Sequence, residues 1–259
     1  MLPITTTDQM GNKLRLPGYP QRIISLVPSQ TELLHDLGLD KEVVGITKFC
    51  VHPPEWRKTK AIIGGTKNAD LSRMESLTPD LIIGNKEEND RATIEALQQK
   101  YPVWMSDVIT VGEALTMIRG IGQITGREAA AHQIADRINQ SMAGIVPAGK
   151  EALYLIWHKP WMGAAHGTFI HHMMEKAGYR NCLRHLHRYP ELDESILKTL
   201  NPEVILLSSE PYPFKDKHKE ELQSLFPEAT ILLVDGELFS WYGSRMLHFA
   251  PYTDTLRQT

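Results

Sequence analysis

The chain of 259 residues carries only two cysteines, Cys50 and Cys182, too far apart for a CxxC pair. That excludes a disulfide framework and argues against a zinc knuckle. Long apolar runs are missing too. The longest, such as Ile231 to Val234, fall far short of the ~20 residues a membrane helix needs. Neither sign of charge is in excess: the net charge is −3, so no basic field draws nucleic acid or an anionic membrane. No basic stretch followed by an apolar core opens the chain. As written it reads as cytoplasmic, and as periplasmic or lipid-anchored outside the membrane if a leader was trimmed. The common catalytic signatures are absent as well. There is no GxGxxG after the first strand, no phosphate-binding loop ending in Lys-Ser or Lys-Thr, and no GxSxG elbow. No enzymatic activity is expected.

What is present is an ordinary globular balance, 42% hydrophobic and 23% charged, which speaks against disorder or a coiled coil. Ile4-Thr5-Thr6-Thr7, a polar turn at Gly11-Asn12 and Lys13 to Leu16 read as a hairpin. Short apolar runs then alternate with helical spacing. Ile23 to Val27, Val43 to Ile46, Ala61 to Ile63, Leu81 to Ile83 and Val103 to Met105 read as strands. Their continuous apolar character fits strands covered on both faces, hence a mainly parallel sheet in an α/β architecture. Thr31 to Leu37 has helical spacing and stops at Gly38.

The pattern then recurs. Leu77-Thr78-Pro79-Asp80-Leu81-Ile82-Ile83 returns 123 residues later as Leu200-Asn201-Pro202-Glu203-Val204-Ile205-Leu206. The opening strand has a counterpart in Leu153 to Ile156 and the closing strand in Ile231 to Val234. Landmarks in the same order predict two similar Rossmann-like lobes, over 1–110 and 148–259. Between them, 111–147 reads as a connecting helical segment, interrupted at Gly120 and Gly122, with an Ala-rich backbone helix over 127–143. Seventeen residues make a stiff rod of about 25 Å.

In parallel sheets, ligands bind outside the carboxyl ends of the strands. The loops after the strands are rich in aromatics: Phe49, Trp157, Trp161, Tyr212, Trp241 and Tyr242 all fall in them. Aromatics converging with a few polar groups are how small-molecule sites are built. Cys50 and His52 in one loop, with His158 from the other lobe, form a candidate soft-ligand set for a metal.

The run Pro20 to Glu32, the Gly64-Gly65 loop, Leu77 to Ile83 and the Thr125-Gly126-Arg127 break before a long helix resemble one family. It comprises the substrate-binding proteins of cobalamin, siderophore and haem ABC transporters, the helical-backbone metal receptors. The cobalamin branch is the most similar. The resemblance implies two α/β lobes with parallel sheets joined by one rigid helix, as in class III periplasmic binding proteins. It implies a non-enzymatic, monomeric protein with no obligatory cofactor, holding a corrinoid, haem or ferric siderophore between its lobes. Lobe 1 would contribute Lys48, Phe49, Cys50, His52, Thr66, Lys67 and Asn85. Lobe 2 would contribute Trp157, His158, Trp161, Tyr212, Trp241, Tyr242 and Arg245. Aromatics would pack on the macrocycle while Lys67, Asn85 and Arg245 bind its peripheral amides or carboxylates. An ABC permease is the implied partner. Where the family's cobalamin receptors present one docking Glu from each lobe, this chain has Ser72 and Ser240, with Glu75 and Glu237 nearby. The alternative is an intracellular metallo-cofactor enzyme or chelatase on the same fold, using Cys50, His52 and His158.

Overall fold

A computed structural model of the chain describes residues 3–258. The chain divides into two units. The first takes the chain through Val108, Gly112–Asn139 and Tyr242–Arg245, and the second takes Ile109–Val111, Gln140–Trp241 and the chain from Met246.

The first unit opens with the hairpin β1 (Ile4–Thr7) and β2 (Lys13–Leu16). Its turn is held by Asp8, whose carboxylate accepts the backbone N–H groups of Met10 and Asn12. There follow β3 (Ile23–Ser25), α1 (Pro28–Asp36), β4 (Val43–Ile46), α2 (Trp56–Thr59), β5 (Ala61–Ile62) and α3 (Leu71–Ser76). Then come β6 (Leu81–Asn85), α4 (Arg91–Gln98), β7 (Val103–Ser106), α5 (Val111–Thr125) and α6 (Glu128–Ala143). The helices start where the side chains permit. Pro28 sits in the first turn of α1, and Asp70 and Asp90 cap α3 and α4 by accepting the N–H groups of Arg73 and Thr93. The five long-chain strands form a wholly parallel sheet in the order β5-β4-β3-β6-β7. Strands β3, β6 and β7 are buried throughout, as their unbroken apolar runs require. The strand order reverses between β3 and β6, so the crevice beyond Ser25 and Asn85 is the topological switch point.

The segment read as an interrupted connector behaves differently. α5 runs unbroken from Val111 to Thr125, and most of 111–139 belongs to the first unit. Met117, Ile118, Ile121, Ile124, Ala131, Ala135 and Ile138 are fully buried. Gly120 and Gly122 serve close approach rather than interruption. A Cβ on Gly120 would lie 3.1 Å from the Trp104 ring, and one on Gly122 only 2.2 Å from the Ala131 Cβ. Gly122→Ala should therefore push α5 off α6 and cost about 1–3 kcal/mol, the range for overpacking. Urea denaturation checks this, and an unchanged midpoint would refute it.

The second unit contains β8 (Glu151–Trp157), β9 (Trp161–Gly163), α7 (Phe169–Lys176), β10 (Arg180–Asn181), β11 (Glu191–Leu192) and α8 (Glu194–Leu197). It continues with β12 (Val204–Ser208), α9 (Asp216–Leu225), β13 (Thr230–Val234), α10 (Gly236–Ser240) and α11 (Phe249–Arg257). β10 and β12 run parallel to β8, and β13 parallel to β12. β12 begins 123 residues after β6, in line with the repeat. The two sheets are not copies, however. After β8 the chain turns straight back through Lys159-Pro160 into β9, which pairs antiparallel with β8 and in turn with β11. The second sheet is thus mixed, with order β11-β9-β8-β12-β13. Its core gathers Leu153, Leu155, Ile205, Leu207, Leu222 and Ile231, with Trp161 and Tyr212 packed against it. Among the described residues no helix is long and apolar enough to cross a membrane.

Candidate functional site

In the first unit three strand-exit loops are stitched to one another. The Lys48 N–H donates to the Gly64 carbonyl at 2.8 Å. The Asn89 amide donates to the Thr66 carbonyl at 3.0 Å, and the Lys67 ammonium to the Glu87 carbonyl. Loops fixed this way hold their side chains without waiting for a ligand, which lowers the ordering cost of binding. On this rim Phe49 stands 50% exposed, with the Lys48 ammonium 5.0 Å from its ring centre. Gly65 lies beneath it: a Cβ there would come within 3.3 Å of the Phe49 ring and 2.3 Å of Asn68 Oδ1. Lys67 is exposed, and His52 and Thr66 are half-buried.

Cys50, Asn85, Arg245 and Tyr242, expected as ligand groups, are buried or paired internally. Cys50 is fully buried. Its sulfur sits between the hydroxyls of Thr31 (3.1 Å) and Thr47 (3.2 Å), and burial pushes the thiol pKa up. A thiol so placed packs as a small apolar side chain and is no metal ligand. Among the described residues no three His, Cys, Asp or Glu side chains are grouped to hold a metal ion. Burial thus takes Cys50 out of the expected set Cys50, His52 and His158. Asn85 is buried and uses its amide internally. Its oxygen accepts the N–H groups of Glu87 and Glu88, and its nitrogen donates to Ser106. Arg245 makes a two-pronged pair with Glu32, at 2.8 and 2.7 Å, on side chains only about 15% exposed. The Tyr242 ring is buried. Its hydroxyl is held protonated well above the usual phenol range by burial first, then by Glu88 and Glu87. Beneath the rim lies a polar layer that loop position does not reveal: Gln30 donates to Ser106 Oγ at 2.5 Å, and the Gln30 carbonyl oxygen has no partner.

In the second unit β8 ends at Trp157, which is 40% exposed and stands edge-on to Tyr212 at 5.6 Å. His158, Trp161 and Tyr212 come together just behind it. The His158 ring lies 4.4 Å from Trp161, which runs parallel to Phe214. A hydrogen-bond chain orders this cluster. The Lys215 N–H donates to His218 Nδ1 at 2.9 Å, while the Lys215 carbonyl already accepts the His218 backbone N–H. His218 Nδ1 also lies 3.1 Å from the Lys215 carbonyl, and its Nε2 faces the Tyr212 hydroxyl at 3.0 Å. Tyr212 in turn faces His158 Nδ1 at 3.4 Å, and Glu221 lies 3.1 Å from His158 Nε2. Burial lowers the His218 pKa, which favours the neutral form this chain needs. His218 was invisible as a site residue in the sequence, being one histidine on a polar helix.

Trp241, expected to face a ligand, is 7% exposed and donates its indole N–H to Glu210 at 2.9 Å. Ser240 donates to the same carboxylate oxygen at 2.7 Å. Burial raises the Glu210 pKa despite these bonds. The folded state then holds the proton more tightly than the unfolded chain, so its contribution to stability falls as pH rises above the ordinary carboxylate range. Glu210→Gln keeps the acceptor oxygen and removes that loss. The variant should gain on the parent from pH 4 to pH 8 in urea denaturation, and a constant difference would refute the assignment. Ser72 is exposed and bonded to Asp70, while Glu75 pairs with Lys100.

The family model described as periplasmic binding protein matches residues 23–229. The ABC transporter substrate-binding lipoprotein YvrC of Bacillus subtilis (strain 168) is 25% identical over 221 residues, 80% of this chain and 69% of that protein. The cobalamin-binding protein of Halobacterium salinarum (strain R1) is 24% identical over 215 residues, 79% of this chain and 58% of its own. The chain spans about half to about two thirds of the length of the curated relatives it matches. Among solved structures, the periplasmic vitamin B12 binding protein BtuF of Vibrio cholerae superposes with a TM-score of 0.78 at 19% identity. The match covers 93% of this chain and 98% of that one.

Proposed function

The chain belongs to the periplasmic binding protein family, and from that premise we propose that it is a non-enzymatic receptor for a metal chelate, a corrinoid first. Delivery is to an ABC permease, in keeping with the substrate-binding lipoprotein it is similar to, on the outer side of the membrane. The observation that carries the reading is the exposure of one large aromatic at a strand's carboxyl end in each unit, Phe49 just after β4 and Trp157 at the end of β8. Exposed rings of that size cost solvation unless a partner covers them, and a macrocycle offers a flat apolar face to do so. In the first unit Lys48, His52, Thr66 and Lys67 supply polar groups at the ring's edge; in the second, His158, Trp161 and Tyr212 back Trp157. Arg245 and Asn85 act as internal braces. The chelate is the cargo, and no resident cofactor is required. Docking on a permease would use Glu75 or Glu237 in place of acids at Ser72 and Ser240.

Titration with cyanocobalamin, haemin and a ferric hydroxamate siderophore, followed by absorbance, tests this. Binding of cyanocobalamin below about 10 μM, roughly −7 kcal/mol, is expected. Binding of none of the three rejects the receptor reading. A chelatase reading has lost its soft ligand, because Cys50 is buried away from the rim.

A further inference from the structure

A groove of about 550 Å³ lies in the first unit between the hairpin and the two helices α5 and α6. It shares no residue with the strand-exit loops. Thr6 and Thr7 form one wall, Thr116 and Gln123 of α5 another, and His132 of α6 a third. At its base is Trp104, 2% exposed, whose indole N–H has no hydrogen-bond partner. A buried donor left unpaired is destabilising, so this N–H calls for an acceptor. Gly120 lets α5 lie close against this ring, since a Cβ there would press on it at 3.1 Å.

The charges of the lining are largely spent. Asp8 accepts the N–H groups of Met10, Asn12 and Met105 and the Asn12 amide. Arg119 pairs with Asp136 at 2.9 Å. Glu128, at the start of α6, repels an anion, and no unpaired cation stands against it. What is left for a ligand is hydroxyl, amide, imidazole and one indole N–H. The Gln123 amide and the imidazole both donate and accept, the Thr116 hydroxyl, which already donates to the Gly112 carbonyl, accepts, and the indole donates; a polyol needs such a mixture, and the volume falls in the range of small-molecule pockets. We propose that the groove is a second binding site, for a small uncharged polyhydroxylated molecule of saccharide type.

The test is NMR of the intact chain labelled with nitrogen-15 in its tryptophan indoles, the Trp104 resonance being assigned through Trp104→Phe. Glucose, maltose and trehalose are titrated separately up to about 50 mM, which reaches weak millimolar affinities. A saturable shift of the Trp104 resonance with one of them is expected. Thr116→Val and Gln123→Leu, on the exposed side of α5, should weaken that sugar about tenfold. These two variants keep the test open should Trp104→Phe fail to fold, the resonance then being followed without it. No saturable shift with any sugar overturns the proposal, and so does a shift produced by phosphate or acetate instead. Cyanocobalamin affinity should be unchanged in both α5 variants. The sugar result therefore stands or falls apart from the receptor reading.

Discussion

Glu32→Ala should lower the unfolding free energy by about 3–5 kcal/mol, the loss expected when one partner of a buried ion pair is removed. Glu32 lies on α1 and meets Arg245 through two parallel N–H···O bonds at 2.8 and 2.7 Å. With the carboxylate gone, the guanidinium keeps its desolvation cost and loses these two charge-assisted bonds. Removing both charges is a different matter. The double variant Glu32→Leu with Arg245→Met removes both charges together, so it should recover most of the loss. Urea denaturation of Glu32→Ala and of the double variant checks this. A single-variant loss under about 1 kcal/mol would mean that the pair behaves as a surface bridge.

Trp157→Ala should weaken corrinoid binding about 100-fold, or roughly 2.7 kcal/mol, as for other well-placed aromatic anchors. Trp241→Ala should leave affinity almost unchanged and lower stability instead. The contrast comes from placement: Trp157 is 40% exposed at the end of β8, while Trp241 is 7% exposed and bonded to Glu210. Absorbance titration and thermal unfolding on both variants separate the two roles. Equal affinity losses would show that exposure does not mark the ligand-facing ring.

The contrast also shows where sequence reading stops. Strands such as Leu81 to Ile83 and Val204 to Leu206 were legible because a buried parallel strand has no polar face, so its run of apolar residues is unbroken. The repeat was legible because each unit spends the same punctuation, a Pro before a strand. The antiparallel β9 and β11 were not, being only three and two residues long. Site residues were legible as loop positions only. Position in a loop does not say which way a side chain turns: Phe49 and Trp157 are exposed, whereas Cys50 and Trp241 are buried. Arg245 and Asn85 read as ligand groups because their partners lie 213 residues away at Glu32 and 21 away at Ser106. No local pattern announces such pairs. Gly120 and Gly122 read as helix breakers for the same reason: the Trp104 and Ala131 atoms that require them are contributed by other elements.

The thiol of Cys50, enclosed between two threonine hydroxyls, has a practical consequence when set beside Cys182. The latter is half-buried, and burial with Glu151 nearby pushes its pKa up to about 11. Only thiolate attacks electrophiles at a useful rate, so near neutrality both native sulfurs will be sluggish toward maleimides. A cysteine introduced at an exposed point such as Lys67 would then carry a dye almost alone, giving a fluorescent reporter of chelate capture with no need to remove either native residue.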